Sequence, residues 1–159
     1  MVDNENSIQL VTFRLSTETY GIDIMDVNGI VEKRDIRAIP RAPEYVAGLL
    51  NLRGMIIPVI DLRRRFNLAE IELNEEDRLL SGFVIINVGG QQFGIIIDRI
   101  YRVVSLETDA IQPPPQMLSG IGAEYIQGVV NEDDGYLIIL NIRRLFDPKE
   151  LQQLTAMNG

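Results

Sequence analysis

The sequence predicts a mainly β protein built from two small barrels lying side by side. Three observations carry this: the chain repeats itself, its apolar runs are short and β-branched, and Gly, Pro and Asn residues punctuate them. In the repeat, Leu10 to Leu15 reappears as Phe83 to Val88, an offset of 73 residues that continues without a gap. Ser16-Thr17-Glu18-Thr19-Tyr20-Gly21-Ile22 faces Gly89-Gly90-Gln91-Gln92-Phe93-Gly94-Ile95, and Ile30-Val31 faces Val103-Val104. Further on the offset becomes 80: Tyr45 to Asn51 matches Tyr125 to Asn131, and Asp61 to Phe66 matches Asn141 to Phe146. The extra residues fall between Pro113 and Tyr125, where three prolines and Gly120-Ile121-Gly122 mark a loop able to absorb an insertion.

The elements follow in order. The first unit reads as strands over Leu10 to Leu15, Gly21 to Val31 and Met55 to Leu62; the second as strands over Phe83 to Val88, Gly94 to Val104 and Tyr136 to Ile142. Several short strands per unit favour a closed or nearly closed barrel, which hides sheet edges. Ala42 to Gly48 reads as one helical turn before a strand, and Leu62 to Phe66 as another. A C-terminal helix is expected after Asp147, with Pro148 in the first turn, Glu150 completing a capping box, and Leu151, Leu154 and Met157 on one face. Ala69 to Asp77 is acidic and aperiodic, and reads as the loop between the halves.

Composition narrows the chemistry. With 159 residues, 46% of them hydrophobic, the chain is large enough to bury a core without disulfides or metals. It contains neither cysteine nor histidine, which removes thiolate and imidazole zinc sites, the common nucleophilic triads and histidine phosphotransfer. A net charge of −8 disfavours nucleic acid and anionic membranes, so the expected partner is protein. The polar N-terminus and the lack of a run of about 20 apolar residues lead to the expectation of a cytosolic chain with no membrane insertion.

Several motifs have plain readings. Arg63-Arg64-Arg65 reads as a solvated face, and Glu75-Glu76-Asp77 and Glu132-Asp133-Asp134 as solvated turns, since neither acidic group has calcium-loop spacing. Gly120-Ile121-Gly122 lacks the lysine and helix of a phosphate cradle. A small barrel hydrolase using Asp133 and Asp134 is the catalytic alternative, but a hairpin tip open to water does not shift carboxylate proton affinities as acid–base catalysis requires. No catalytic residue, metal or cofactor is expected.

Two places stand out. Asn51-Leu52-Arg53-Gly54 sits where the second copy reads Asn131-Glu132-Asp133-Asp134-Gly135. Both copies need a turn there, but only the first sets a rigid, permanently charged guanidinium beside apolar neighbours. The other place is Gly21 to Val31, where Ile22 and Ile24 alternate with Asp23, Met25 and Val27. With the isoleucines inside a barrel, Met25 and Val27 lie outside it, facing either a partner or the other barrel.

Tyr20-Gly21-Ile22-Asp23-Ile24, the run from Gly48 through Asn51-Leu52-Arg53-Gly54 to Pro58-Val59-Ile60-Asp61-Leu62-Arg63, Gly94 to Asp98, and Leu137 to Ile142 resemble successive blocks of the CheW family of chemotaxis coupling proteins. The resemblance implies two five-stranded SH3-like barrels with a hydrophobic core between them. It implies one CheW-like domain over residues 7–150, with halves at about 10–80 and 81–146 that can exchange strands, followed by a C-terminal helix and tail over 147–159. It also implies a non-catalytic scaffold in the cytoplasm, at membrane-associated receptor arrays. Its partners would be the cytoplasmic hairpin tip of methyl-accepting chemoreceptors, bound between the barrels, and the regulatory domain of the kinase CheA. By position, Ile24, Val27, Ile30, Arg53 and Gly54, with Ile100 and Val103, would face the receptor, and Ile111, Gln112 and Met117 would contact the kinase ring. A CheW-like adaptor for another two-component kinase would look the same. Many family members carry an acidic residue where this chain has Gly29, so receptor preference is expected to differ.

Overall fold

A computed structural model describes residues 6–114, 125–132 and 135–145. The strands are β1 (Ser7–Leu15), β2 (Glu18–Asp23), β3 (Val27–Glu32), β4 (Val46–Leu52), β5 (Met55–Ile60), β6 (Gly82–Val88), β7 (Gln91–Ile97), β8 (Arg99–Glu107), β9 (Ile126–Glu132) and β10 (Gly135–Leu140). Two short helices, α1 (Leu62–Arg65) and α2 (Glu75–Leu80), lie between β5 and β6. The protein is mainly β, with two five-stranded sheets ordered β8-β1-β2-β10-β9 and β3-β6-β7-β5-β4. Neighbours run antiparallel except β2 with β10 and β5 with β7.

Each sheet takes strands from both halves of the sequence. A boundary near residue 80 therefore divides the sequence repeat but not the sheets. Closure of each sheet comes from the chain just beyond an edge strand. After β3, Arg37 exchanges two backbone hydrogen bonds with Leu49 of β4, at 2.9 and 2.8 Å; after β8, Gln112 does the same with Val129 of β9, both at 2.9 Å. The paired backbones come so close that a side chain does not fit. A Cβ on Gly48 would lie 2.5 Å from the Arg37 carbonyl oxygen, and one on Gly128 would strike Ile111 Cγ2. The repeated glycine is thus a requirement of closure.

Strand alternation distributes apolar side chains over three cores. Leu50, Ile57, Val59, Phe83 and Ile85 fill one barrel, and Leu10, Val130, Leu137 and Ile139 fill the other. The opposite faces of the same strands, including Phe13, Tyr20, Ile22, Val84, Ile86, Phe93, Ile95 and Ile138, form a larger core between the sheets.

The structure corrects several expectations. Gly21 to Val31 is two strands: the Asp23 carboxylate accepts a hydrogen bond from Met25 N at 3.0 Å and starts a 3-10 turn over Ile24–Asp26, which passes the chain from one sheet to the other. Gly94 to Val104 likewise breaks at Asp98, between β7 and β8. Ile22 lies in the core between the sheets and not inside a barrel, so the register argued for Met25 and Val27 does not hold as stated. Ala42 to Gly48 contains a turn, Val46 N to Pro43 O at 2.9 Å, and no helix. The inter-half loop contains α2, begun by Asn74, whose side chain accepts from Asp77 N at 2.7 Å. The expected C-terminal helix after Asp147 lies outside the described residues.

Candidate docking surface

β3 and β8 occupy equivalent places at the edges of the two sheets, and both are irregular in the same way. β3 carries one residue more than β6 between Val27 and Gly29, and β8 one more than β1 between Ile100 and Val103. An extra residue reverses the alternation, so side chains three apart share a face. Val27 with Ile30, and Ile100 with Val103, consequently point the same way. Val27 and Ile100 pack against the core between the sheets, while Ile30 and Val103 emerge from it, each 49% exposed. Val31 and Val104 turn back into their own barrels. The structure thus packs two of the residues predicted to face a receptor, Val27 and Ile100, against one shared core, with Ile30 and Val103 exposed on the same strand faces. Ile24 is half-buried in the 3-10 turn, beside Met25 at 84% exposed. Gly29 has φ +153°, and a Cβ there would meet no atom within 4 Å; an acidic side chain at this position meets backbone strain and no clash.

Arg53 and Gly54 form the turn between β4 and β5, with φ values of 53° and 85°. Two residues at positive φ match the twist of a tight hairpin, and Asn51 supports the turn by accepting from Gly54 N at 3.1 Å. Asn87 does the same for Gly90 at 3.0 Å between β6 and β7. That second turn uses Gly89-Gly90, whereas the first holds an exposed arginine in a conformation glycine prefers, at an expense of about 1–2 kcal/mol. Gly54 lines a cleft of about 450 Å³ with Met55, Ile56, Gly90 and Gln92. The Arg53 site therefore belongs to a hairpin end, separate from the Val27–Ile100 core.

Of the residues predicted to meet the kinase, Ile111 is half-buried against the Leu10, Val130, Leu137 and Ile139 core. Gln112 closes the barrel through its backbone and leaves its side chain exposed. Met117 lies outside the described residues, as do Asp133 and Asp134.

Charged side chains hold these strands in place in ways the sequence reading missed. Arg63, read as solvated, reaches Asp61 at 3.2 Å and Asp98 at 3.1 Å, and both carboxylates are buried. Burial disfavours the Arg63 charge, but the two acids outweigh that and raise its proton affinity. Asp98 also accepts from Ser16 N at 2.7 Å, which ties the start of β8 to the β1–β2 turn. Arg65 lies over the rings of the repeat-related Tyr45 and Tyr125, at 4.9 and 5.6 Å. Asp77, expected in a solvated turn, is buried and accepts from Arg14 at 2.8 Å and Arg99 at 3.1 Å. The available signal was the contrast between copies: Asp61 faces Asn141, and Asp98 faces Met25. Among the described residues, no three acidic side chains are placed to hold a metal, and no helix is long and apolar enough to cross a membrane.

Comparison with known proteins gives this arrangement a family. The model of the CheW-like domain matches residues 9–150. The chain belongs to the CheW family. Among its relatives, the chemotaxis protein CheW of Treponema pallidum is 54% identical over 99% of this chain and 92% of its own length. That of Klebsiella aerogenes is 31% identical over 90% and 84%. Among solved structures, the scaffolding protein TtCheW of Thermoanaerobacter tengcongensis superposes with a TM-score of 0.79 at 35% identity, covering 90% of each chain. The CheW-like match runs from within β1 to beyond β10, so β3, β8 and the Arg53 turn lie inside the matched region.

Proposed function

We propose that this CheW-like chain is a non-catalytic coupling protein of bacterial chemotaxis. It links the cytoplasmic tip of methyl-accepting receptors to the kinase CheA, on the cytoplasmic side of the membrane where receptor arrays form. The observation that carries this reading is the matched pair of half-exposed aliphatics, Ile30 and Val103, rising from a core to which both sheets contribute through Val27 and Ile100. A strip of that kind suits an amphipathic helix, which can bury a few aliphatic side chains between two rigid edges. Ile24 extends the strip on the β3 side.

Arg53 and Gly54 supply a charged, preformed turn that fixes the register of a bound partner and does not add much burial. The exposed side chain of Gln112, and the insertion that follows it and contains Met117, are the contacts assigned to neighbouring kinase domains; Ile111 acts by holding the barrel closed. Each contact is modest. Receptors and kinases assembled side by side raise the effective concentration of every partner, so modest contacts suffice.

The test is a reconstituted assembly of receptor cytoplasmic fragments, CheA and this protein, read out as kinase autophosphorylation. Adding the chain should raise kinase activity and make it depend on receptor state. Arg53→Glu and Arg53→Asn should both lower assembly, and Arg53→Asn should do so without lowering the melting temperature, because asparagine tolerates the left-handed conformation. Kinase activity indifferent to the protein would refute the reading.

A further inference from the structure

The strand orders put two different structures at the two edges of the core between the sheets. Across that core one sheet runs from Val27 on β3 to Val46 on β4, with β6, β7 and β5 between; the other runs from Ile100 on β8 to Ile126 on β9, with β1, β2 and β10 between. One edge therefore carries the aliphatic strip. At the opposite edge stand Tyr45 and Tyr125, the residues that precede β4 and β9, both partly buried against the same core. Each is tied to its own sheet through its carbonyl: Asp61 N donates to Tyr45 O at 2.8 Å, and Asn141 N to Tyr125 O at 2.9 Å.

A single side chain spans this second edge. Arg65 ends α1, whose start is capped by the Asp61 carboxylate accepting from Arg63 N at 3.0 Å. Its guanidinium lies 4.9 Å from the centre of the Tyr45 ring and 5.6 Å from that of Tyr125, and its Nη2 donates to Leu145 O at 3.0 Å. Tyr45 adjoins one sheet; Tyr125 and Leu145 adjoin the other. The repeat places Leu145 opposite Arg65, and that leucine is buried in the shared core. The tyrosines are thus matched between the copies while the arginine is not: a second cation at position 145 would repel the first, whereas one serves both ring faces. Aliphatic contacts in the core are non-directional, but a guanidinium set between two rings and a carbonyl fixes an orientation.

We infer that Arg65 is a positioning residue for the receptor surface: it latches the two sheets together at the β4 and β9 edge, and so fixes how far apart Ile30 and Val103 stand at the β3 and β8 edge. Sheets that share a close-packed core shift against each other as rigid bodies, so slack at one edge reappears as a change of spacing at the other. A receptor helix that must touch both aliphatics loses affinity when their spacing varies. This rests on the reading that the receptor lies along Ile30 and Val103.

The chain contains no cysteine, so a pair can be introduced for spin labels without removing any. Glu32→Cys on β3 and Ser105→Cys on β8 are equivalent in the repeat, and both positions are exposed. Double electron–electron resonance on the full chain labelled there should give one narrow distance distribution. Arg65→Met, which keeps an apolar stem and removes the charge, should broaden it and shift its mean by about 1–2 Å. The same variant should bind a soluble receptor hairpin about fivefold more weakly, with CheA binding unchanged. Arg65→Lys returns a cation to the rings and should recover part of both effects. Tyr125→Leu should act as Arg65→Met does, while Tyr125→Phe, which keeps the ring face, should match the parent. An arginine with a purely structural role would lower the melting temperature of Arg65→Met and leave the labels in place. An unmoved distance in both Arg65→Met and Tyr125→Leu, or hairpin affinity within twofold of the parent in both, therefore overturns the inference. If the labels move but Ile30→Glu and Val103→Glu both bind the hairpin normally, it is the receptor reading that fails, and the purpose given to Arg65 with it.

Discussion

Ile30 and Val103 offer a direct measure of the docking strip. Each is 49% exposed, so folding has removed about half of its surface from water and left the other half for a partner. Complete burial of an aliphatic side chain is worth about 1.5–3 kcal/mol, which leaves roughly 0.7–1.5 kcal/mol per residue available on binding. Ile30→Ala or Val103→Ala should then weaken hairpin binding by roughly 1 kcal/mol, about fivefold. The double variant should lose about 2 kcal/mol, roughly thirtyfold, provided the two sites act independently. Titration calorimetry measures this, with melting curves alongside. The melts should barely move for these variants but fall for Val27→Ala and Ile100→Ala, whose side chains pack against the core between the sheets. Added salt should change the loss little, because apolar contact is not screened. Affinity within twofold of the parent in the double variant would refute the strip. A loss confined to one of the two singles would refute the claim that equivalent strands contribute equally.

Two further predictions concern the scaffold. Gly48→Ala places a Cβ 2.5 Å from the Arg37 carbonyl oxygen and must loosen a bridge of two hydrogen bonds, so it should destabilise by about 2 kcal/mol, whereas Gly94→Ala meets only side chains at 3.5 Å or more and should be nearly neutral. Urea titration of both variants decides it, and equal stability would remove closure as the reason for the glycine. Arg14 and then Arg99 hold the Asp77 carboxyl below its ordinary value, so these ion pairs stabilise α2 at any pH above the usual carboxylate pKa of about 4 and are lost as acid protonates Asp77 below it. Exchange protection of residues 75–80 should stay level from about pH 7 to 5 and drop below about 4, a step absent in Asp77→Asn.

The fold was legible where local pattern determines it. Duplicated strands betray themselves because both copies must bury the same faces, so Phe83 to Val88 repeats the apolar character of Leu10 to Leu15. Sheet membership was not legible in the same way. β2 and β3 read as one strand because apolar residues continue from Ile22 to Val31 with no Gly or Pro at the break over Ile24–Asp26, and the event that ends β2 is one hydrogen bond from Met25 N to Asp23. Ala69 to Asp77 reads as loop because α2 is too short to show a period. Its place depends on Asp77 meeting two arginines 63 and 22 residues away, which no local window contains.

The same contrast separates the parts of the site. Val27 with Ile100, and Ile30 with Val103, are aliphatic in both copies, so a comparison keyed to apolar residues finds them. The polar differences between the halves escape it, though they decide how each side behaves. Ser16, Arg63 and Asp98 close one side with a buried ion-pair cluster. Their repeat partners Gly89, Arg143 and Met25 line an open cleft of about 540 Å³. There, burial and Asp23 push the Asp26 carboxyl up in spite of Arg143. A buried carboxylate beside an arginine loses much stability if either partner is removed, so the closed side tolerates little change, while the open side can vary in charge without endangering the cores. Strand pattern therefore makes the two halves look alike, and it is the placement of a few charges that sets them apart.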